Sequence, residues 1–311
     1  MVCLGDATQD NFFFINDASV HCDINNQNCT LNLKYGQKIP AEKFAVSLGG
    51  NAANVACSLS KLGIKTALST SFGDDDRGAW IKRKLLEANV DLSFAATDPN
   101  RESNISAIII FKGERTILTH HDDLPVTEIK IPETRWIYLT SAAGRDSSPL
   151  FTAVRKYKEK FPGVKVAFNP YVTDLQKGKE YLSEVLRITD LIFLNKEEAE
   201  ALTGKTGTSE NLAKEVCRLG PKMAAVTDGA RGATVFAGGK IITQESIPQP
   251  CLQTTGAGDA FAGGFLAGLI LKNDLATAVK WGIVDSGSVI TKIGAQAGLL
   301  SQTEIEKAEN I

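Results

Sequence analysis

The 311-residue sequence predicts an α/β fold: a mostly parallel central sheet with helices on both faces, and a small separate β-sheet beside it. Three observations predict it. After residue 130, short apolar runs alternate regularly with amphipathic segments, and repeated strand–helix–strand units imply a parallel sheet covered on both sides. Between residues 11 and 48 apolar and polar residues instead alternate singly, the period of a strand with one wet face. Of the 27 glycines, ten fall at 49–50, 73–78, 229–232, 256–258 and 263–264, mostly where loops meet elements. Length alone fits two domains or one large α/β domain with an insert.

Taken in order, Val2 to Leu4 is a short buried strand feeding the loop Gly5-Asp6. Phe12-Phe13-Phe14-Ile15 and the alternating Leu31, Leu33 and Tyr35 read as strands, with Asn25-Asn26-Gln27-Asn28 as a turn between them. Ala52, Val55, Ala56, Leu59 and Leu62 share one helical face, and Gly63 suits the helix C-terminus. A strand at Thr66–Ser71 and a helix over Asp76–Ala88 follow. Ser106–Phe111 and Thr116–Thr119 form a second β-like pair joined by Lys112–Arg115. Strands are then expected at Trp136–Leu139, Val164–Phe168, Leu191–Leu194 and Ala224–Thr227. Helices are expected at about 148–158, 179–188, 196–202 and 209–219. A β pair, Thr234–Phe236 and Lys240–Thr243, precedes two final helices at about 257–271 and 275–290, the second capped by Asp274.

Composition excludes several classes. Hydrophobic residues make up 43% and charged residues 23%, the balance of a folded globular chain. With 34 Lys+Arg against 36 Asp+Glu there is no global basic surface for a phosphate backbone, so no nucleic-acid partner is expected. The longest apolar stretch, Ala260–Leu271, is 12 residues, against the roughly 20 that span a bilayer, so no membrane partner is expected. The start, Met1-Val-Cys-Leu-Gly, lacks a signal peptide's basic and apolar regions, which points to a cytoplasmic protein. Cys22 and Cys29 could meet across a hairpin, but in that compartment the six scattered cysteines are expected as reduced thiols. No Cys-x-x-Cys spacing suggests zinc, and His21, His120 and His121 receive no role.

The segment Thr254-Thr255-Gly256-Ala257-Gly258-Asp259 carries the strongest chemistry. It sets a glycine-rich turn at the start of an apolar helix, where unpaired N–H groups and the helix dipole favour an anion. An aspartate beside a bound anion would be repelled by it, so a functional reason is expected. Phosphoryl transfer supplies one: Asp259 accepts the proton of an attacking hydroxyl while the amides hold the phosphoryl oxygens. At its ordinary pKa of about 3.9 it would be a weak base, with late proton transfer. A dinucleotide fingerprint would need glycine where Phe261 stands, and no Gly-Lys-Ser/Thr P-loop ending occurs.

Here the sequence resembles the ribokinase-like sugar kinase family, also called the PfkB family. Thr254–Asp259 is similar to its C-terminal signature, and Ser47-Leu48-Gly49-Gly50-Asn51-Ala52-Ala53-Asn54-Val55-Ala56 to its N-terminal one. Gly73-Asp74-Asp75-Asp76-Arg77-Gly78, Asn195-Lys196-Glu197-Glu198 and Thr227-Asp228-Gly229-Ala230-Arg231-Gly232 match further elements in family order. The resemblance implies a ribokinase-like fold, with an α/β kinase domain at 1–10, 49–103 and 120–311. A β lid at 11–48 and 104–119 would cover the sugar and make a homodimer, with apolar residues such as those of Phe12–Ile15 at the interface.

It also implies roles. Asp259 would be the catalytic base, with Gly256, Ala257 and Gly258 as the anion hole. Asp10, Gly49, Gly50 and Asn54 would bind sugar, Asn54 through a hydroxyl. Asn195, Thr227, Gly229, Gly232 and Asp285 would lie on the nucleotide side, and Glu198 would organise Mg2+ indirectly. Gln253 stands where the family signature usually begins with aspartate, so activation by K+ does not carry over directly. The carbonyls of Gln253 and Thr255 with the segment Gly294–Gly298 leave a weaker cation site open.

The expected activity is ATP- and Mg2+-dependent phosphorylation of a hydroxyl on a small ribose- or fructose-like sugar. A nucleoside acceptor, with Phe12, Phe13, Phe14 or Phe111 stacking on the base, is the alternative; a non-catalytic sugar binder is another. A phosphosugar would need cations, for which Lys34, Arg101 and Arg115 are available.

Overall fold

A computed structural model describes residues 1–23, 29–122, 129–142 and 144–308. The expected turn Asn25–Asn28 lies outside the described residues. In chain order, β1 (Val2–Leu4) enters the main sheet and β2 (Thr8–Ile15) leaves it for a second one. The hairpin β3 (Ser19–Cys22) and β4 (Cys29–Asn32) and the returning β5 (Ala41–Gly49) lead into α1 (Asn51–Lys61). Next come β6 (Ala67–Ser69), β7 (Ser71–Gly73), α2 (Asp76–Glu87), β8 (Ala96–Asp98), β9 (Ile105–Phe111) and β10 (Glu114–His120). The alternating half contains β11 (Trp136–Leu139), α3 (Ser148–Lys160), β12 (Lys165–Phe168), α4 (Val172–Gln176), α5 (Lys179–Ile188) and β13 (Leu191–Asn195). It continues with α6 (Lys196–Thr203), α7 (Ser209–Arg218), β14 (Met223–Thr227), β15 (Ala233–Ala237) and β16 (Lys240–Gln244). The chain closes with α8 (Ala257–Lys272), α9 (Leu275–Val289) and α10 (Gln302–Ala308).

The main sheet has eight strands in the order β16-β15-β14-β13-β12-β11-β1-β6, all parallel except β15, which runs antiparallel to both β14 and β16. Both faces are covered, because alternate residues of each strand enter different cores. Val2, Leu4, Ile137 and Leu139 pack with α3, α5, α6 and α7. Cys3, Tyr138, Phe193 and Ala225 pack with α1, α8 and α9. Helix α8 is apolar all round and sits in the middle of the second core. Its glycines let neighbours close in: a Cβ on Gly264 would lie 2.7 Å from the Trp281 carbonyl oxygen in α9, and one on Gly263 2.2 Å from the Ser58 hydroxyl in α1. This close contact fixes where the N-terminus of α8 points.

The second sheet has the order β10-β9-β2-β5. Its pairing puts Asp10 beside Ser106 and Ser47, and Phe12 beside Ile108 and Ala45. One face therefore carries Asp10, Ser106, Phe12, Ile108, Arg115, Ile117 and Thr119; the other carries Phe13 against Phe44, Val46 and Leu118. This register corrects the expectation for Phe12–Ile15. Phe12 and Ile15 are core, whereas Phe13 lies on the opposite face, which is apolar and open at Val46, Leu118 and Phe44, the last 56% exposed.

Two further expectations change. The strand expected at Thr66–Ser71 is split between β6 in the main sheet and β7, which pairs with β8. Cys22 and Cys29 are directly opposite in the β3–β4 ladder and are joined by a disulfide, so these two are not reduced thiols. Cys3, Cys57, Cys217 and Cys251 are free. No helix among the described residues is long and apolar enough to cross a membrane.

Candidate active site

In open α/β sheets the loops at the carboxyl ends of the strands line the ligand crevice. Here Asp6 follows β1, Tyr171 follows β12, Asn195 ends β13 and Thr227 ends β14. The N-terminus of α8 lies among them, between two cavities. The first, of about 200 Å3, is lined by Asp6, Asp10, Gly50, Asn54, Gly256 and Asp259, with Ser106, Arg115, Thr119, His121, Tyr171 and Thr255. The second, of about 390 Å3, is lined by Thr227, Gly229, Gly232, Ala257, Gly258 and Phe261, with Ile247, Pro248, Ile283 and Ile290. A cavity of about 670 Å3 at the amino ends of the strands, by Met1, Arg135, Trp136 and Lys165, lies away from these groups.

The turn into α8 is built by close packing. Gly256 caps the helix at φ +81, a left-handed conformation, and a Cβ there would come 2.3 Å from that of Ala295. The first helical bond runs from the Ala260 N–H to the Gly256 carbonyl, so the N–H groups of Gly258 and Asp259 precede the ladder. Gly258 is exposed and lines the larger cavity.

Asp259 is buried, and its carboxylate accepts a hydrogen bond from the Asn54 side-chain amide at 2.8 Å. Gln296 donates to the Asn54 oxygen at 3.1 Å, which orients that amide. Burial pushes Asp259 up to about 7; Asn54 opposes this, and the carboxylates of Asp6, Asp10 and Glu198 add to it. The expectation of a weak base near 3.9 is therefore corrected: this carboxylate is poised at neutral pH. Asn54 thus lines the polar cavity and also donates to Asp259, a partner its place in the N-terminal signature does not announce.

Asp10 is also pushed up to about 7 by burial, with Asp6 contributing and a Ser106 hydrogen bond opposing. Gly49 does not line the cavity; it makes room for Asp10, whose carboxylate oxygen would lie 2.1 Å from a Cβ at that position. Asp6 accepts from the Asn51 N–H at 3.0 Å, capping α1, and faces the same cavity. Sequence reasoning missed Asp6, Ser106, Tyr171 and His121. The period of two along Arg115, Ile117 and Thr119 extends to 121 and could have found the histidine. Burial, with the nearby Arg145 and His120, lowers His121 to about 4, so it is neutral at pH 7. Its Nδ1 is buried without a hydrogen-bond partner among the described residues.

On the other side, Thr227, Gly229 and Gly232 line the larger cavity. Asn195 and Glu198 form a capping box on α6, each side chain accepting from the other's backbone N–H. Neither lines the larger cavity, although Asn195 pairs with Thr227 in the sheet. Burial holds Glu198 above the usual carboxylate range. Asp285 is a correction: it is fully buried, accepts from the Ser58 hydroxyl at 2.9 Å and the Leu300 N–H at 2.9 Å, and faces no cavity described above. The neighbouring Ile283, Ser286 and Gly287 line the larger cavity instead.

Among the described residues no group of three or more His, Cys, Asp or Glu is placed to hold a metal ion. Mg2+ does not need such a cage, because it keeps several waters and binds through one or two carboxylates together with phosphate oxygens. Glu198, with one oxygen spent on the cap, fits that use.

Residues 12–302 match the family model described as pfkB family carbohydrate kinase. The chain is 28% identical over 283 residues to the 5-dehydro-2-deoxygluconokinase of Bacillus licheniformis, covering 85% of this chain and 87% of that one. It is 30% identical over 240 residues to an Escherichia coli fructokinase, covering 71% and 76%. Its fold matches that of Arabidopsis thaliana ribokinase complexed with ribose and ATP at a TM-score of 0.83 and 22% identity, over 100% and 98% of the two chains. A Methanocaldococcus jannaschii nucleoside kinase matches at a TM-score of 0.77 and 20% identity, over 99% and 97%.

Proposed function

The chain belongs to the pfkB family of carbohydrate kinases, and from that premise we propose that it transfers the γ-phosphoryl group of ATP to a hydroxyl of a small sugar, with Asp259 as general base. The observation that carries this reading is the position of Asp259. It stands at the start of α8 between a polar cavity and a largely apolar one, with a pKa of about 7. The polar cavity suits a polyol: Asp10 and Asp6 accept from its hydroxyls, and neutral His121 and Tyr171 add uncharged contacts. The other suits a nucleotide base, with Thr227, Gly229 and Gly232 near ribose and phosphates. Asp259 takes the acceptor's proton, and the amides at the start of α8 hold the phosphoryl oxygens. Glu198 would hold Mg2+ through water, and the ion would neutralise charge on the phosphates.

The sheet at 11–48 and 104–119 acts as a lid that excludes water, and its open apolar face, with Phe44 and Leu118, serves a homodimer. ATP as donor supports a cytoplasmic setting. A sugar is favoured over a nucleoside because none of Phe12, Phe13, Phe14 and Phe111 lines the polar cavity. A second reading concerns charge. Arg115 lines that cavity two side-chain rows from Asp10 and makes no ion pair among the described residues, which supports an acceptor with an anionic group. ADP release with Mg2+-ATP should be screened against neutral sugars, sugar acids, sugar phosphates and nucleosides. Turnover with a sugar supports the reading; a response to nucleosides alone, or to nothing, overturns it.

A further inference from the structure

Family members commonly hold a monovalent cation beside the anion hole, and the residues present here do not fit one. Gln253 is only 3% exposed. Its Nε2 donates to the Thr255 carbonyl at 3.2 Å and to the Lys292 carbonyl at 3.0 Å, and its Oε1 accepts from the Thr255 N–H. Both amide hydrogens and the amide oxygen are thus used. The backbone adds to the same tie, with the Leu252 N–H donating to the Ile290 carbonyl at 2.9 Å.

Carbonyl oxygens converging on one point repel unless a cation or N–H donors lie between them. Here the donors are covalently attached. We propose that the Gln253 carboxamide takes the place of a monovalent cation, tying Thr255 to the 290–292 segment so that the Gly256–Gly258 turn is organised without K+. The geometry closes the weaker site that the carbonyls of Gln253 and Thr255 left open in sequence, since the Thr255 carbonyl already accepts from Nε2. A cation placed between these carbonyls would have to displace that amide, and Gln253 offers no carboxylate to hold it. The consequence for catalysis rests on the kinase reading; the consequence for stability does not.

The test is thermal denaturation of the full chain in potassium chloride and in tetramethylammonium chloride at equal ionic strength, with no nucleotide or acceptor. The wild type should melt at the same temperature in both. Gln253→Asp sets a carboxylate against two carbonyls, so it should melt lower in tetramethylammonium and recover in potassium by roughly 5 °C or more. Gln253→Leu, which loses the bonds without adding charge, should be destabilised equally in both salts. A potassium-specific rise in the wild type overturns the proposal whether or not the variants fold. A folded Gln253→Asp with no potassium response overturns it too. Because the readout needs no turnover, it succeeds or fails separately from the kinase assignment. If turnover is found, the wild-type rate should be the same in both salts.

Discussion

Replacing Asn54 with leucine removes the one side-chain hydrogen bond to the Asp259 carboxylate among the described residues, at 2.8 Å, while keeping the branched side-chain shape. A donor to an ionised group stabilises the charged form, and such a bond is worth roughly 1.5–3 kcal/mol. One pKa unit is about 1.4 kcal/mol, so Asp259 should rise from about 7 by roughly one to two units. At pH 7 the ionised fraction would drop from about a half to roughly 1–10%, a loss of about 5- to 50-fold in kcat/KM. The assay is kcat/KM against pH for wild type and Asn54→Leu, with the acceptor found in the screen. The acid limb should move up by one to two units, and activity should return near pH 9. A loss of the same size at every pH, with the limb unmoved, would refute the argument. It would return Asn54 to the role its sequence position suggested, a contact to an acceptor hydroxyl.

Gly49→Ala would place a methyl 2.1 Å from an Asp10 oxygen and force that carboxylate aside. At the worth of a charged hydrogen bond, the acceptor KM should rise by about 10-fold or more with the ATP KM unchanged; equal effects on both would contradict the geometry. Asp285 is an acid raised to about 7, so the stability linked to its protonated form is complete below its ordinary pKa and lost as pH rises through 7. Asp285→Asn should therefore gain stability over wild type by roughly 3 kcal/mol more at pH 8 than at pH 5, read from urea denaturation. A gain that does not change with pH would count against a buried ionised carboxylate there.

Much of this architecture is legible in local pattern. The strand–helix alternation after residue 130, the period of two in the second sheet and the glycine turn before α8 each follow from a few neighbouring residues. What sequence reading misses depends on contacts between distant residues. Asn54 meets Asp259 across 205 positions, and Ser58 meets Asp285 across 227. An acid on the last long helix looks the same in sequence whether it faces a nucleotide or ties that helix to α1, and only packing decides. The pKa of Asp259 is set by burial and by carboxylates from three other parts of the chain, which no motif records. His121 escaped notice because a histidine beside another histidine reads as loop, yet the strand's alternation carries it into the cavity.

The most direct test of the account is Asp259→Asn. The substitution keeps the side-chain size and leaves an oxygen to accept from Asn54, so the fold and nucleotide binding should survive. With the acceptor that wild type phosphorylates, kcat should fall by at least about 100-fold, the low end for loss of a general base, while binding of Mg2+-ATP measured by calorimetry stays unchanged. Turnover close to wild type in that variant would contradict the assignment of Asp259 as the base.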